Sequence, residues 1–381
     1  MGVLETAEGL LAVPSENPPG DEAAAVAWVR DRLETAAIDW TVTTQPVVDG
    51  RANIIARAGD PDRGRVVLNG HLDVVPADAE LWHTPPYTPT VRDGRLVARG
   101  SADMKGAIAA QIEAAEAFLA RADSPGEVML VFVVDEEYDG RGARRFVEEP
   151  LTADIVVIGE PTELDILTAV KGVARYRLTL SGRPCHSGTP DQGVDAIRGL
   201  ATVIERIGAM DAALATTSHA VLAHEDITVT EVDAGVAPNT VAGEAHCTID
   251  WRVLPGETDP AGYDARLTEA LADISVDGEA LAVDLERIVF ARGAETAHDH
   301  PAVTAAAEAI RSVGAPGRVG GLNGATDSRF FINDLDLPTI HFGPGSIADD
   351  AHTVDESVAI ADLDLAQAAY EAVLEAFLTR A

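Results

Sequence analysis

The sequence predicts an α/β fold, a largely parallel sheet with helices on both faces, carrying an inserted ferredoxin-like α+β lid. Three observations predict it. Short apolar runs at residues 66–68, 128–134, 155–158 and 339–342 are unbroken rather than alternating, as in strands buried on both faces. Helical stretches separate them, the alternation expected of βα units. Residues 173–287 change character, with strands in which polar and apolar residues alternate.

In chain order, residues 21–37 place Ala25, Val29 and Leu33 on one helical face, after a stop at Pro18-Pro19-Gly20. Val66-Val67-Leu68 is the first buried strand, and 107–122 is a helix with Ile108, Ile112, Ala115 and Leu119 along one side. Buried strands at 128–134 and 155–158 follow. The insertion then reads strand 174–180, helix 194–214, strands 227–232 and 245–253, helix 259–274 and strand 282–290. That βαββαβ order is the ferredoxin-like one. The strand at 339–342 returns to the larger sheet. At 381 residues the chain exceeds one typical core. The expected division is 1–172 with 288–381 as the larger domain and 173–287 as the lid.

Composition speaks mainly about solvent. Sixty-three acidic residues face 28 basic ones, a net charge of −35, and the only lysines are Lys105 and Lys171. No basic patch is available for nucleic acid. Such a charge repels itself in ordinary salt, but at molar salt the Debye length falls to about 3 Å and the repulsion is screened. The balance therefore points to a high-salt, halophilic cytoplasm. With only Cys185 and Cys247 there is no disulfide framework, and a reducing compartment is expected. No stretch approaches the roughly 18 apolar residues of a membrane span. Residues 1–20 show no basic, apolar and small-residue sequence of an export signal.

The chemistry sits after the buried strands. Val66-Val67-Leu68 leads to Asn69-Gly70-His71-Leu72-Asp73, the 128–134 run to Asp135-Glu136-Glu137, and the 155–158 run to Gly159-Glu160-Pro161-Thr162. The last strand leads to Gly343-Pro344-Gly345 and then to Ala351-His352, while Asp103 stands just before a helix. Sites of open parallel sheets form outside the carboxyl ends of the strands. Mixed imidazole and carboxylate donors suit Zn²⁺, and a carboxylate shared by two ions gives a pair about 3.5–4 Å apart. Such a pair lowers the pKa of a water and polarises a carbonyl. A carboxylate off the metal must move the proton, and adjacent Glu136-Glu137 offers one residue for each task. Asp73, two residues past His71 on an extended segment, is on the same side to orient its ring. Singly, each position has a plain alternative: a loop residue, acids in a helix's first turn, or an N-cap at Asp103. Five such positions at boundaries facing one end decide for a site. Cys185-His186 is not a nucleophile pair, because neighbours in extended chain point apart. His298-Asp299-His300-Pro301 reads as a helix start. No G-x-S-x-G, Walker or Rossmann motif follows a strand.

Taken in order, Gly70-His71-Leu72-Asp73-Val74-Val75-Pro76, Arg99-Gly100 through Gly106, Asp135-Glu136-Glu137 and Gly159-Glu160-Pro161-Thr162 resemble the signature of the acetylornithine deacetylase / succinyl-diaminopimelate desuccinylase family, which includes aminoacylase and glutamate carboxypeptidases. The resemblance covers nearly the whole chain. It implies two divalent ions, Zn²⁺ with Co²⁺ able to substitute. His71 and Glu160 would hold one, Glu137 and His352 the other, with Asp103 bridging. Glu136 would be the general base and acid, Asp73 the partner of His71, and a cis peptide would follow Asp103.

The lid matches as well. Ser181-Gly182-Arg183-Pro184-Cys185-His186-Ser187 resembles the family's G-x-x-x-H-S segment, whose histidine reaches a partner subunit's site to stabilise an oxyanion. The resemblance thus implies a homodimer through the lid. Pro238-Asn239 and Asp250-Trp251-Arg252 resemble positions that hold the substrate carboxylate, although a surface ion pair is the plain reading of Arg252. Gly324-Ala325-Thr326-Asp327-Ser328-Arg329 resembles a substrate-binding loop, with Gly324 and Thr326 as its contacts. The implied activity is hydrolysis of a small N-acyl amino acid. A dipeptidase or carboxypeptidase of the same fold is the alternative, and a catalytically silent relative the remaining one. The stretches 82–89 and 324–329 resemble the desuccinylases, and Gly343-Pro344-Gly345-Ser346-Ile347 with Ala351-His352 the deacetylases. The paired arginines of bacterial desuccinylases align with Val170-Lys171.

Overall fold

The computed structural model describes residues 2–123, 125–256 and 258–379. The strands of the larger sheet come in as β1 (Thr41–Val48), β2 (Arg51–Ala58), β3 (Asp60–His71), β4 (Gly126–Val133), β5 (Ile155–Ile158) and β6 (Ile166–Val170). The insertion supplies β7 (Gly172–Ser181), β8 (Asp226–Ala234), β9 (Glu244–Val253) and β10 (Ala282–Ala291), and β11 (Thr339–His341) rejoins the larger sheet. The helices used below are α1 (Val3–Leu11), α2 (Ala23–Glu34), α3 (Lys105–Arg121), α4 (Ala196–Leu214), α5 (Ala261–Ala270), α6 (Pro301–Ser312) and α7 (Ile360–Leu378). No helix among the described residues is long and apolar enough to cross a membrane.

Seven strands of the larger sheet run in the order β1-β2-β4-β3-β5-β11-β6. Its middle, β4-β3-β5-β11, is parallel, while β1, β2 and β6 pair antiparallel at the flanks. Every residue of β4 and β5 is buried, which is why their runs are continuous in the sequence. One face packs on α1, α3, α6 and α7 through Leu10, Ile108, Ile112, Phe118, Val303, Tyr370 and Leu374. The other carries Met129, Val131, Phe146 and Phe331. Gly70 and Gly159 let α3 approach closely: a Cβ on Gly70 would lie 2.7 Å from Ile108, and one on Gly159 2.8 Å from Ala107. That approach brings the N-terminal end of α3 to the carboxyl ends of β3 and β5.

The second unit is a four-stranded antiparallel sheet in the order β8-β9-β7-β10, with α4 and α5 on one face. Ala174, Tyr176, Leu178 and Leu180 of β7 and Cys247, Ile249, Trp251 and Val253 of β9 point into its core. Trp251 meets Tyr263 of α5 edge-on at 5.0 Å. Alternate residues Arg175, Arg177, Thr248, Asp250 and Arg252 face the other way, giving the period of two that marks these strands in the sequence.

The compact units are Met1–Ala169 with Glu295–Gly321 and Thr326–Ala381, and Val170–Ala294 with Leu322–Ala325. The smaller unit extends past the expected 173–287 at both edges, where Gly172 still pairs with Val253 and Ala291 with Val173. The 322–325 piece joins the smaller unit through bonds such as Lys171 N–H to Leu322 O, 3.2 Å, so Gly324 and Thr326 fall in different units. Residues 1, 124, 257, 380 and 381 lie outside the described residues, among them the outer bounds of the expected larger domain.

Candidate metal centre

Register brings the strand ends level. His71 on β3 stands opposite Val133 on β4, Asn69 opposite Ile158 on β5, and Ile158 opposite His341 on β11. The residues just past this row, Asp135-Glu136-Glu137 and Glu160, therefore emerge together with His71. Asp103 arrives on the turn before α3, followed by a cis peptide to Met104.

Ligand-type atoms of His71, Asp103 and Glu160 all lie within 4.8 Å of one another, and so do those of Asp103, Glu137 and His352. Asp103 belongs to both groups. Its Oδ1 is 3.0 Å from His71 Nε2 and its Oδ2 3.3 Å from His352 Nε2; the latter also lies 3.1 Å from Glu137 Oε1. Glu136 is in neither group, though it feels the charges of Glu160 and His71 in one and of Glu137 in the other.

The surroundings fix these side chains. His71 Nδ1 lies 2.9 Å from the backbone carbonyl of Asp73, which can only accept, so Nδ1 carries the proton and the Nε2 lone pair is left for a ligand role. The sequence reading gave this task to the Asp73 carboxylate, which sits 3.7 Å from the ring. The carboxylate is turned instead toward the next loop. Its Oδ1 accepts from Glu136 N–H at 3.2 Å and its Oδ2 from Glu137 N–H at 3.1 Å and from Asn17 Nδ2 at 2.9 Å. The physical reason is that these backbone N–H groups have no other partner at the end of β4, while the Asp73 carbonyl already reaches the ring. Asn17 also bonds Asp135, 3.0 Å, which Arg51 and Arg141 hold.

Carboxylates outnumber cations here. Burial and the charge of Asp103 push Glu160 up to about 8. Burial, then the charges of Asp327 and Glu160, raises Glu136 well above the usual range. Asp327 rises to about 6 by burial, and both its oxygens lack a hydrogen-bond partner. Hydrogen bonds to Asp103 and Glu137 lift His352 to about 10. Burial works to raise Asp103, but the two histidines hold it below the usual carboxylate range. These directions describe the side chains alone. Buried carboxylates crowded this way are the electrostatic complement of cations, and the donor set of imidazole nitrogens and carboxylate oxygens fits divalent ones.

The other predicted residues belong to their own units, Thr326 to the larger and the rest to the smaller. His186 is exposed on a short ribbon, Cys185–His186 with Thr240–Val241, and its Nδ1 accepts from Gly188 N–H at 2.9 Å, leaving Nε2 as a donor. Asn239 is next to it, its carbonyl accepting from Ser187 N–H at 2.9 Å. Arg252 is at the far end of β9 on the outward face, 2.7 Å from Asp250, which Arg175 also reaches at 2.6 Å. Arg252 lies about 27 Å along β9 from Glu244 at roughly 3.4 Å per residue, whereas His186 pairs with Thr240, on the chain leading into the other end of that strand. Thr326 is buried, its hydroxyl 2.8 Å from His341 Nε2 and 2.9 Å from Ser328 Oγ. Its direct contact with a substrate would have to displace these bonds. The sequence reading passed over Glu356 entirely and quoted Asp327 only as part of the 324–329 segment, although both are buried acids.

An α/β scaffold that gathers imidazoles and carboxylates at the carboxyl ends of its parallel strands has the donor set of a divalent-metal centre. Residues 67–376 match the model of peptidase family M20/M25/M40, and the chain belongs to that family, as a metal-dependent amidohydrolase. A probable carboxypeptidase of Aspergillus clavatus is 30% identical over 97% of this chain and 81% of its own length. The succinyl-diaminopimelate desuccinylase of Dechloromonas aromatica is 29% identical over 99% and 98%, and the acetylornithine deacetylase of Vibrio cholerae 30% over 95% and 94%. Among solved structures, an M20 family metallo-carboxypeptidase from Sulfolobus solfataricus matches with a TM-score of 0.80 at 20% identity, covering 99% of each chain. A dinuclear metal binding peptidase of the M20 family from Bacillus subtilis matches at 0.72 and 15% identity, covering 98% and 97%.

Proposed function

We propose that this chain hydrolyses the amide bond of an N-acyl amino acid, with an acetylornithine deacetylase-like or succinyl-diaminopimelate desuccinylase-like substrate. The observation that carries the reading is the pair of donor groups joined by Asp103, with Glu136 under the charges of both and committed to neither. His71 and Glu160 would hold one ion, Glu137 and His352 the other, and Asp103 both. Zn²⁺ suits these donors and Co²⁺ can replace it. When bound, the ions supply Lewis acidity at the scissile carbonyl and acidify a water. Glu136 takes the proton from the attacking water and returns it to the leaving nitrogen. Asp73 holds the Glu136-Glu137 backbone so that the two carboxylates serve different tasks.

In the lid, Nε2 of His186 is free to donate to the developing oxyanion. The separation of His186 and Asn239 from Arg252 supports a homodimer, in which one site takes His186 and Asn239 from the partner and Arg252 from its own chain. Arg252 would hold the substrate carboxylate with its planar fork, and Gly324 and Thr326 would belong to a substrate-binding loop. We place the protein in a high-salt cytoplasm. A dipeptidase or carboxypeptidase is the second reading, favoured by the Aspergillus relative; Glu160, where several such peptidases carry Asp, favours the deacylases. Steady-state assays of N-acetylornithine, N-succinyl-diaminopimelate and dipeptides in molar KCl with Zn²⁺ or Co²⁺ test this. A preference for either acyl substrate is expected, and dipeptide cleavage alone would overturn it.

A further inference from the structure

Four residues after His352, Glu356 is 1% exposed and is in neither donor group. Its carboxylate fills a small concavity of backbone N–H groups. Oε1 accepts from Ala102 N–H at 2.8 Å and Asp103 N–H at 3.0 Å; Oε2 accepts from Gly100 N–H at 3.0 Å and Arg99 Nη1 at 2.6 Å. Its own carbonyl accepts from Ala98 N–H at 3.0 Å. Successive N–H groups converging on one point are an anion-binding arrangement; here the anion is a side chain of the same protein. The turn so wrapped delivers Asp103.

The donors explain why a carboxylate is required. Three backbone N–H groups and a guanidinium need an acceptor with two oxygens and several lone pairs. A glutamine of the same shape would turn an NH₂ toward N–H groups on one side. The turn would then lose the bonds that orient Asp103, the residue common to both donor groups. Only three residues separate Glu356 from His352 in the other donor group, and His352 and Asp355 both hold left-handed backbone, φ 61° and 56°.

We infer that Glu356 is a positioning residue for the metal centre, its carboxylate anchoring the Arg99–Asp103 turn and thereby coupling the placement of Asp103 to that of His352. This rests on the reading of Asp103 as the shared ligand. The role is to fix geometry, without contact to substrate or ion. Removing groups that orient metal ligands typically weakens metal binding about 10–100-fold.

The test is a Co²⁺ titration of the metal-depleted full chain in molar KCl, read by bound stoichiometry and by the visible absorption of the bound ion. For Glu356→Gln we expect both equivalents to weaken by about 10–100-fold, with an altered Co²⁺ spectrum. Glu113→Gln is the control, since Glu113 is a buried carboxylate bonded to Arg32 and Thr6; it should lower stability and leave the Co²⁺ titration and spectrum as in wild type. Wild-type affinity and spectrum in Glu356→Gln would overturn the inference, as would equal weakening in the control. If Glu356→Gln does not fold, Arg99→Met, which removes one of the four donors, should weaken Co²⁺ binding in the same direction, and an unchanged titration would overturn the inference. Wild type binding no stoichiometric Co²⁺ would instead sink the reading of the metal centre itself.

Discussion

The two sheets of this protein solve burial differently, and their residues announce function differently as a result. In the larger unit β4 and β5 are buried on both faces, so nothing along them is free to bear chemistry and the reactive groups are displaced to the strand ends. In the smaller unit β7 and β9 point only every second residue into the core, so Arg175, Asp250 and Arg252 ride on the strands themselves. A polar residue past a doubly buried strand is informative, because the strand has no other use for it. A polar residue on the outer face of a half-buried sheet is ordinary, and Arg252, paired with Asp250, looks like one.

The largest effect that can sharpen this contrast comes from mixing subunits. On the proposal, a His186→Ala chain and a Glu136→Gln chain should each be nearly inactive as homodimers, with His186 alone worth about 10²–10³ in turnover. Their heterodimer should recover up to about one working site per mixed dimer, since one site keeps Glu136 and receives His186. Activity that stays absent after subunit exchange is demonstrated would confine the histidine to its own chain or remove it from catalysis.

Salt tests the surface of both units together. Lowering KCl from molar to about 0.1 M lengthens the Debye length to about 10 Å, and 63 acids against 28 bases should then repel across it. The thermal midpoint is expected to fall by many degrees. A flat midpoint would contradict the high-salt reading.

The smallest effect is local to the larger unit. Burial holds the His341 imidazole down at about 4, with Nε2 placed to accept from Thr326 and Nδ1–H to donate to Leu167 O. Between pH 6.5 and about 4 the unfolded chain binds a proton here that the native chain does not. Stability from this group is therefore complete above 6.5 and lost as pH falls toward 4, by up to about 1.4 kcal/mol per pH unit. His341→Gln should flatten that part of the stability curve in urea titrations, and an unchanged slope would refute the assignment.

How much of this was legible follows the same contrast. His71, Asp103, Glu137, Glu160 and His352 stood out because they follow buried strands or precede a helix, and the structure gathers them into two groups of three that share Asp103. The lid's βαββαβ order was readable from the change of period. The roles of Asp73 and Glu356 were not. Spacing places Asp73 beside His71 but cannot tell a carbonyl contact from a carboxylate one. Glu356 sits among Asp349, Asp350 and Asp355 in a very acidic chain, and its meaning depends on a turn far away in sequence. Asp327 lay inside the 324–329 segment, where the resemblance pointed to Gly324 and Thr326 rather than to the acid beside them. The hairpin of β1 and β2 was missed although Asp49-Gly50 marks its turn. The first and last helices, α1 and α7, have no side-chain N-cap to announce them.

The central claim is that two adjacent acids at one strand end have separate tasks, Glu137 as ligand and Glu136 as proton carrier. Glu136→Gln, analysed for bound metal and for turnover on the same sample, tests it most directly. The account predicts two ions per chain as in wild type, with turnover lower by about 10²–10⁴. Loss of an ion in step with activity would make Glu136 a ligand and contradict the division.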